Sequence, residues 1–119
     1  MSVARGDVVL LNFPQARGKP AKRRPAVVVQ PDYNNTRLTN SVFAMISSNV
    51  RLATSEPAQV LIDLTTSEGQ QSGLSRNSAV KCENLSTLPI TGVVRTIGSL
   101  PLQLMQQVDA ALKSSLELP

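Results

Sequence analysis

The fold of this chain is organised around one stretch, Arg23-Arg24-Pro25-Ala26-Val27-Val28-Val29-Gln30, in which a basic segment gives way to an apolar one. Residues 26–29 are uncharged and rich in β-branched side chains, so they predict a buried strand. Pro25 has no N–H to donate, which suits the first residue of a strand or an edge, and it favours an extended Arg24. The Arg24 guanidinium is therefore predicted to lie at the start of a rigid strand, where it can bind an anion in fixed geometry. The alternative is a solvated arginine at a strand end.

A loop rich in positive charge precedes this strand. Residues 15–23 contain no acid, are punctuated by Gly18 and Pro20, and carry four cations: Arg17, Lys19, Lys22 and Arg23. They predict a mobile basic loop with a functional role, although a solvated hairpin connection remains the alternative. The formal net charge of +4 favours a polyanionic partner. The chain has one Tyr, two Phe and no Trp, which argues against a protein that stacks one base after another.

The composition excludes several classes of site. One cysteine and no histidine cannot supply a zinc site or a Ser-His-Asp triad. The acidic residues are scattered without paired spacing, and no glycine-rich phosphate loop is present, so no cofactor is expected. Cys82 lacks a histidine partner and is predicted to be an inert thiol. The sequence has no apolar targeting segment or membrane span, so we expect a cytoplasmic protein without a membrane partner.

The rest of the chain predicts a single α+β domain over residues 1–119. Short apolar runs separated by turn residues predict strands at residues 8–13, 26–29, 41–47, 59–63, 78–82, 85–88 and 92–98. A closing helix is predicted with Ser99 or Leu100 as its cap and Pro101 in its first turn. Leu104, Val108 and Leu112 recur every four residues, and Met105, Ala111 and Leu116 widen this apolar stripe. Short strands and one terminal helix predict a small, curled antiparallel sheet or barrel.

Arginine and hydroxyl groups are what this composition leaves for chemistry. Arg24 begins one predicted strand and Ser47 ends the next, so pairing of the two strands would bring them to one edge of the sheet. Guanidinium and hydroxyl donors can hold the non-bridging oxygens of a phosphodiester and stabilise the charge of a pentavalent transition state.

An ordered set of short motifs covers nearly the whole chain. The motifs are Gly6-Asp7-Val8, the basic loop, Arg24-Pro25-Ala26-Val27-Val28-Val29, Tyr33-Asn34-Asn35, Ile46-Ser47-Ser48, Ser72-Gly73-Leu74, Ser78-Ala79-Val80, Cys82-Glu83-Asn84-Leu85, Thr96-Ile97-Gly98 and the final helix. In this order the chain resembles the MazF/PemK family of toxin endoribonucleases.

The resemblance implies an SH3-like barrel with a C-terminal helix, assembled as a homodimer. It implies metal-independent, sequence-selective cleavage of single-stranded RNA that inhibits translation, neutralisation by a cognate antitoxin, and DNA binding together with that antitoxin. The catalytic pair carries over to Arg24 and Ser47, with serine where threonine is commoner. RNA contacts are assigned to the basic loop and to Asn34, Asn35, Ser48 and Asn84, the last standing where glutamine is usual.

Two other functions are compatible with such a fold. One is a gyrase-poisoning toxin resembling the CcdB group, which acts through C-terminal helix residues; this chain ends Lys113-Ser114-Ser115-Leu116-Glu117-Leu118-Pro119, without tryptophan. The other is a binding module that has lost activity. The basic loop and Arg24-Pro25 favour the ribonuclease. Because the sequence supplies no evident metal ligands, the substrate's own 2′-hydroxyl is the expected nucleophile.

Overall fold

A computed structural model describes residues 2–119 as one antiparallel sheet with a long terminal helix. The strands are β1 (Asp7–Phe13), β2 (Lys22–Val28), β3 (Asn40–Ser47), β4 (Gln59–Ile62), β5 (Ser78–Pro89) and β6 (Val93–Ser99). The helices are α1 (Asp32–Asn35), α2 (Ser67–Gln70) and α3 (Leu102–Leu116), with a 3₁₀ turn at Ile90–Gly92. The strand order is β4-β5-β3-β2-β1-β6, so β4 and β6 are edges and the curled sheet is not closed by strand pairing. The predicted α+β class is confirmed.

The sheet buries apolar side chains on both of its faces because the strand residues alternate in direction. Val8, Val27, Ala44 and Val80 pack with α3 on one face. Val9, Ala26, Phe43 and Met45 form a smaller cluster on the other face, near the 3₁₀ turn. The predicted stripe of α3 buries Leu104, Met105, Val108 and Ala111, whereas Leu116 is 54% exposed. In the described part of the chain, no helix is both long and apolar enough to cross a membrane.

The connection between β4 and β5 crosses from one side of the sheet to the opposite edge. This segment, residues 64–77, is called the strap. The Ser99 amide in β6 donates a 3.0 Å hydrogen bond to the carbonyl of Gln71. Gly73 has φ +73° and packs against the backbone of Ile97, while Gly98 packs against the backbone of Gln71 and Ser72 so closely that a Cβ would overlap. The strap therefore encloses the gap that the strands leave open.

Four local predictions are corrected by the structure. β2 begins at Lys22, so the strand includes Arg23 and Arg24. Pro25 pairs with Leu10 of β1, and pairing of β2 with β3 starts only at Ala26, because Pro25 has no N–H to donate. Residues 78–82 and 85–88 belong to one strand, β5, which contains a bulge where its register against β3 shifts.

The other two corrections concern helix ends and short helices. Pro101, not Ser99 or Leu100, is the N-cap residue of α3, because Ser99 pairs with Asp7 and the Leu100 amide donates to the carbonyl of Gly6. The one-turn helices α1 and α2 lie between the predicted strands, where the sequence predicted turn residues and no helix. In α2 the hydroxyl of Thr66 caps the amide of Gly69.

Candidate active site

Arg24 and Ser47 meet where β2 and β3 separate. The ladder between these strands runs from Val28 and Phe43 to Ala26 and Met45 and then stops. Ser47 remains paired with Ala79 of β5, while Arg24 remains paired with Leu11 of β1. Both side chains line the same two depressions at this split. The structure therefore brings together the two residues that the sequence predicted as a pair.

The first depression, here called the cationic cleft, has a volume of about 340 Å³. Its four positively charged residues are Lys22, Arg23, Arg24 and Arg76, and no carboxylate lines it. Ser47, Ser48, Ser75 and Ser78 add hydroxyl groups. Within residues 2–119 the only salt bridge is Arg5 to Asp109, so none of the four cations is neutralised by an acid. Grouped positive charges without counter-charges attract an anion, and polyanionic backbones fit such a cleft.

The second depression, the side cleft, has a volume of about 320 Å³ and shares Arg24, Ile46 and Ser47 with the first. Phe13, Lys81 and Asn84 complete its polar and aromatic lining. The Arg24 Cζ atom lies 6.0 Å from the centroid of the Phe13 ring, at the outer limit of a cation–π contact. The ring thus contacts the guanidinium from one side, and no hydrogen bond within residues 2–119 occupies its donors.

The Ser47 hydroxyl is held by its own turn. Its Oγ accepts a 3.1 Å hydrogen bond from the amide of Asn49, just after β3 ends. This bond uses an oxygen lone pair, so the hydroxyl proton stays available for an acceptor in the cleft. A half-buried serine that can donate beside an unpaired arginine suits the binding of a phosphate oxygen.

Two predicted RNA contacts are not brought to this site. Asn34 and Asn35 lie in α1, between the end of β2 and the start of β3, at the opposite end of both strands from Arg24 and Ser47. Asn35 is only 6% exposed. Its Nδ2 donates to the carbonyl of Gln30 at 3.0 Å, and its Oδ1 accepts from the Ser41 hydroxyl at 2.6 Å. Asn34 accepts from Arg37 at 2.7 Å. These contacts give α1 a structural role, because the buried amide is already satisfied.

The predicted basic loop is divided by the structure. Lys22 and Arg23 belong to β2 and line the cationic cleft, whereas Arg17 and Lys19 lie outside both clefts on the exposed connection after β1. Ser48 lines the cationic cleft and Asn84 the side cleft, as a contact with RNA requires.

Sequence reasoning missed Arg76 and Lys81. Arg76 reaches the cleft only because the strap folds back across the split between β2 and β3, and its polar surroundings in the sequence carried no signal. Lys81 lies opposite Met45 of β3 and Gln59 of β4, which sets it on the face of the side cleft. A lone lysine within an otherwise apolar strand was the one available sign of this position.

The remaining reactive groups lie outside this site. Cys82 is fully buried, and burial, followed by the negative charges of Glu83 and Asp109, raises the pKa of its thiol to about 12. An inert thiol is the result, as predicted from the sequence. Across residues 2–119, no three His, Cys, Asp or Glu side chains converge into a group that could hold a metal ion.

Comparison with known proteins indicates one family. Residues 4–116 match the family described as PemK-like, MazF-like toxin of type II toxin-antitoxin system. Endoribonuclease MazF6 of Mycobacterium tuberculosis is 35% identical over 120 residues, which cover 99% of this chain and 100% of that protein. Endoribonuclease EndoA of Bacillus subtilis is 29% identical and covers 99% of this chain and 97% of its own. A solved mycobacterial endoribonuclease in complex with its cognate antitoxin has a TM-score of 0.76 at 19% identity, over 99% of this chain and 98% of the other.

Proposed function

The chain belongs to the family of PemK-like, MazF-like toxins of type II toxin–antitoxin systems, and we propose from this membership and from its site that it is an endoribonuclease. Its substrate is single-stranded RNA, and cleavage of mRNA in the cytoplasm stops translation. The observation that carries this proposal is the cationic cleft, where Arg24 and Ser47 lie among three further cations and no carboxylate. The gyrase-poison alternative is not favoured, because full-length relatives are named endoribonucleases.

The proposed reaction uses the 2′-hydroxyl beside the scissile phosphate as the nucleophile. The bond from the 2′-oxygen to phosphorus forms, the bond to the 5′-oxygen breaks, and the departing oxygen gains a proton as the attacking hydroxyl loses one. The products carry a 2′,3′-cyclic phosphate and a 5′-hydroxyl. An internal nucleophile already holds the proximity advantage, so the protein has to bind and stabilise rather than generate a hydroxide.

Each residue of the pair has a distinct part in this proposal. Arg24 offers a planar fork of donors to the non-bridging oxygens and balances the negative charge that grows in the transition state. Ser47 donates its hydroxyl proton to one of the same oxygens and holds the phosphate in line. The site supplies donors of arginine, lysine and serine type, so we expect cleavage to proceed without a bound metal.

The partners follow from the family and from the charge. We expect a homodimer, and we expect a cognate antitoxin to place an acidic, initially disordered segment on the cationic cleft, where it folds on binding. A fold relative has been solved with its cognate antitoxin. If saturating antitoxin and an uncleavable RNA bind together without weakening each other, this shared surface is wrong.

One set of reactions tests the proposed function. The purified chain should cut single-stranded RNA in EDTA, and the same RNA with one 2′-deoxy sugar just 5′ of the scissile phosphate should resist cutting at that bond. Arg24→Ala should lose about 10²- to 10³-fold in rate, the usual effect of removing a transition-state donor, while its melting temperature stays close to wild type because the side chain is exposed. Cutting of the deoxy strand at that bond, or a near-normal rate for Arg24→Ala, would refute the mechanism. Gyrase supercoiling assays on the same sample test the alternative.

A further inference from the structure

A third depression continues the cationic cleft toward β6. Its volume is about 350 Å³, and it shares Pro25, Leu74 and Ser75 with the cationic cleft. Its remaining lining includes Leu10, Arg95 and Ile97. We call it the flanking pocket. Because the two depressions share three residues, the flanking pocket adjoins the cationic cleft.

Strand register explains how a cation comes to lie there. Leu10 of β1 pairs with Pro25 of β2 on one side and with Arg95 of β6 on the other. Directly opposed residues share a face of the sheet, so Pro25, Leu10 and Arg95 form one row across three strands. Neighbouring strands lie about 4.8 Å apart, which sets the Arg95 backbone roughly 10 Å from that of Pro25.

The chemistry of the flanking pocket differs from that of the cationic cleft. Its floor consists of four half-buried apolar side chains: Leu10, Pro25, Leu74 and Ile97. Its rim carries the exposed cation of Arg95 and the exposed hydroxyl of Ser75, and Arg95 takes no part in the single salt bridge found in residues 2–119. An apolar floor beside an unpaired guanidinium fits a nucleobase joined to a phosphate.

We propose that the flanking pocket binds one further nucleotide of the RNA strand, with its base on the apolar floor and its phosphate on Arg95. The proposal rests on the proposed ribonuclease function and adds a subsite to it. Continuity with the cationic cleft and the exposed positive charge of Arg95 favour RNA as the occupant, and a second copy of the chain is an outcome that the test below distinguishes. With this subsite, the protein would contact one nucleotide more than it contacts through Arg24, Ser47 and the side cleft alone.

The test compares oligonucleotides of decreasing length. The bond cut by the wild-type chain is mapped first, and non-cleavable oligonucleotides centred on it, with a 2′-deoxy sugar before the scissile phosphate, are then shortened by one nucleotide from each end in turn. Affinity is measured by fluorescence anisotropy for wild type, Arg95→Gln and Leu10→Ala, because Arg95 and Leu10 line the flanking pocket and neither of the other two depressions. Arg37→Gln is the matched control, because it makes the same exposed chemical change in the turn after α1, outside all three depressions.

The expected result is a loss that depends on length. Arg95→Gln and Leu10→Ala should each weaken binding of the longest oligonucleotide about 5- to 10-fold, and should bind as wild type does once the flanking nucleotide is removed. Arg37→Gln should bind every length as wild type does. An equal effect on long and short strands, no effect at all, or a shift by Arg95→Gln in the monomer–dimer equilibrium measured by sedimentation would overturn the subsite. A wild-type chain that cuts no RNA would overturn the ribonuclease function as well, so the two failures are distinguishable.

Discussion

A methyl group placed on Gly98 should impair RNA cleavage from outside the site. The Cβ of an alanine there would lie closer than 3.0 Å to the backbone of Gln71 and Ser72. Ordinary carbon contacts lie at about 3.5–4.0 Å, so the strap must retreat by about 1 Å. The strap carries Leu74, Ser75 and Arg76 into the cationic cleft. Since a misplacement of about 1 Å can cost about 10²-fold in rate, we expect Gly98→Ala to cut RNA up to about 100-fold more slowly.

Gly92→Ala is the matched control for this change. Its new Cβ would have the carbonyl oxygen of Asn12 as its nearest neighbour at 3.9 Å, an ordinary contact. Initial cleavage rates of both variants should be measured at a temperature where circular dichroism shows each fully folded. Arg76→Gln and the double variant complete a cycle: if Gly98 acts by positioning Arg76, the double variant should be no slower than the slower single variant. A Gly98→Ala protein as fast as Gly92→Ala, or losses that multiply in the double variant, would refute this reasoning.

Three further outcomes are expected. Ser47→Ala should slow cleavage about 10- to 100-fold in single-turnover assays, since a hydrogen bond to a charged oxygen contributes about 1.5–3 kcal/mol. Ser47→Thr keeps the hydroxyl and should keep most of the rate. Equal rates for the two variants would exclude a role for the hydroxyl. Changing Arg17, Lys19 and Lys22 together to Gln should lower the slope of log affinity against log salt by about 2, at about 0.7 per phosphate contact on a single strand; an unchanged slope removes these cations from RNA binding. The pKa of Cys82 is about 12 in the folded chain against an ordinary 9.0. Above pH 9 the thiol therefore loses its proton more readily in the unfolded chain, so its contribution to the stability of the fold is complete below pH 9 and declines as pH rises toward 12. The unfolding free energy from urea titrations should therefore fall more steeply above pH 9 for wild type than for Cys82→Ala, and parallel curves would contradict this.

The sequence by itself determined most of the strands, the terminal helix and the proximity of Arg24 and Ser47. Short apolar runs bounded by turn residues predicted the strands, and the four-residue recurrence of Leu104 and Val108 predicted α3, because these patterns are local consequences of strand and helix geometry. The sequence could place Arg24 beside Ser47 because Arg24 stands at the start of one predicted strand and Ser47 at the end of the next. Two antiparallel neighbours bring such residues to the same edge of the sheet. Local pattern also fixed Cys82 within a strand, where burial removes its reactivity.

Only the tertiary structure decided which other side chains surround that pair. Arg76 is 52 residues from Arg24 in the chain (76 − 24), and it reaches the cleft because Gly73 and Gly98 permit the strap to touch β6. Lys81 and Arg95 are placed by strand register, in which a shift of one residue moves a side chain to the opposite face. Asn35 lies outside the site, and its side-chain amide already forms hydrogen bonds with Gln30 and Ser41. Contacts between distant segments depend on register and close backbone approach, and no local periodicity in a sequence records either of them.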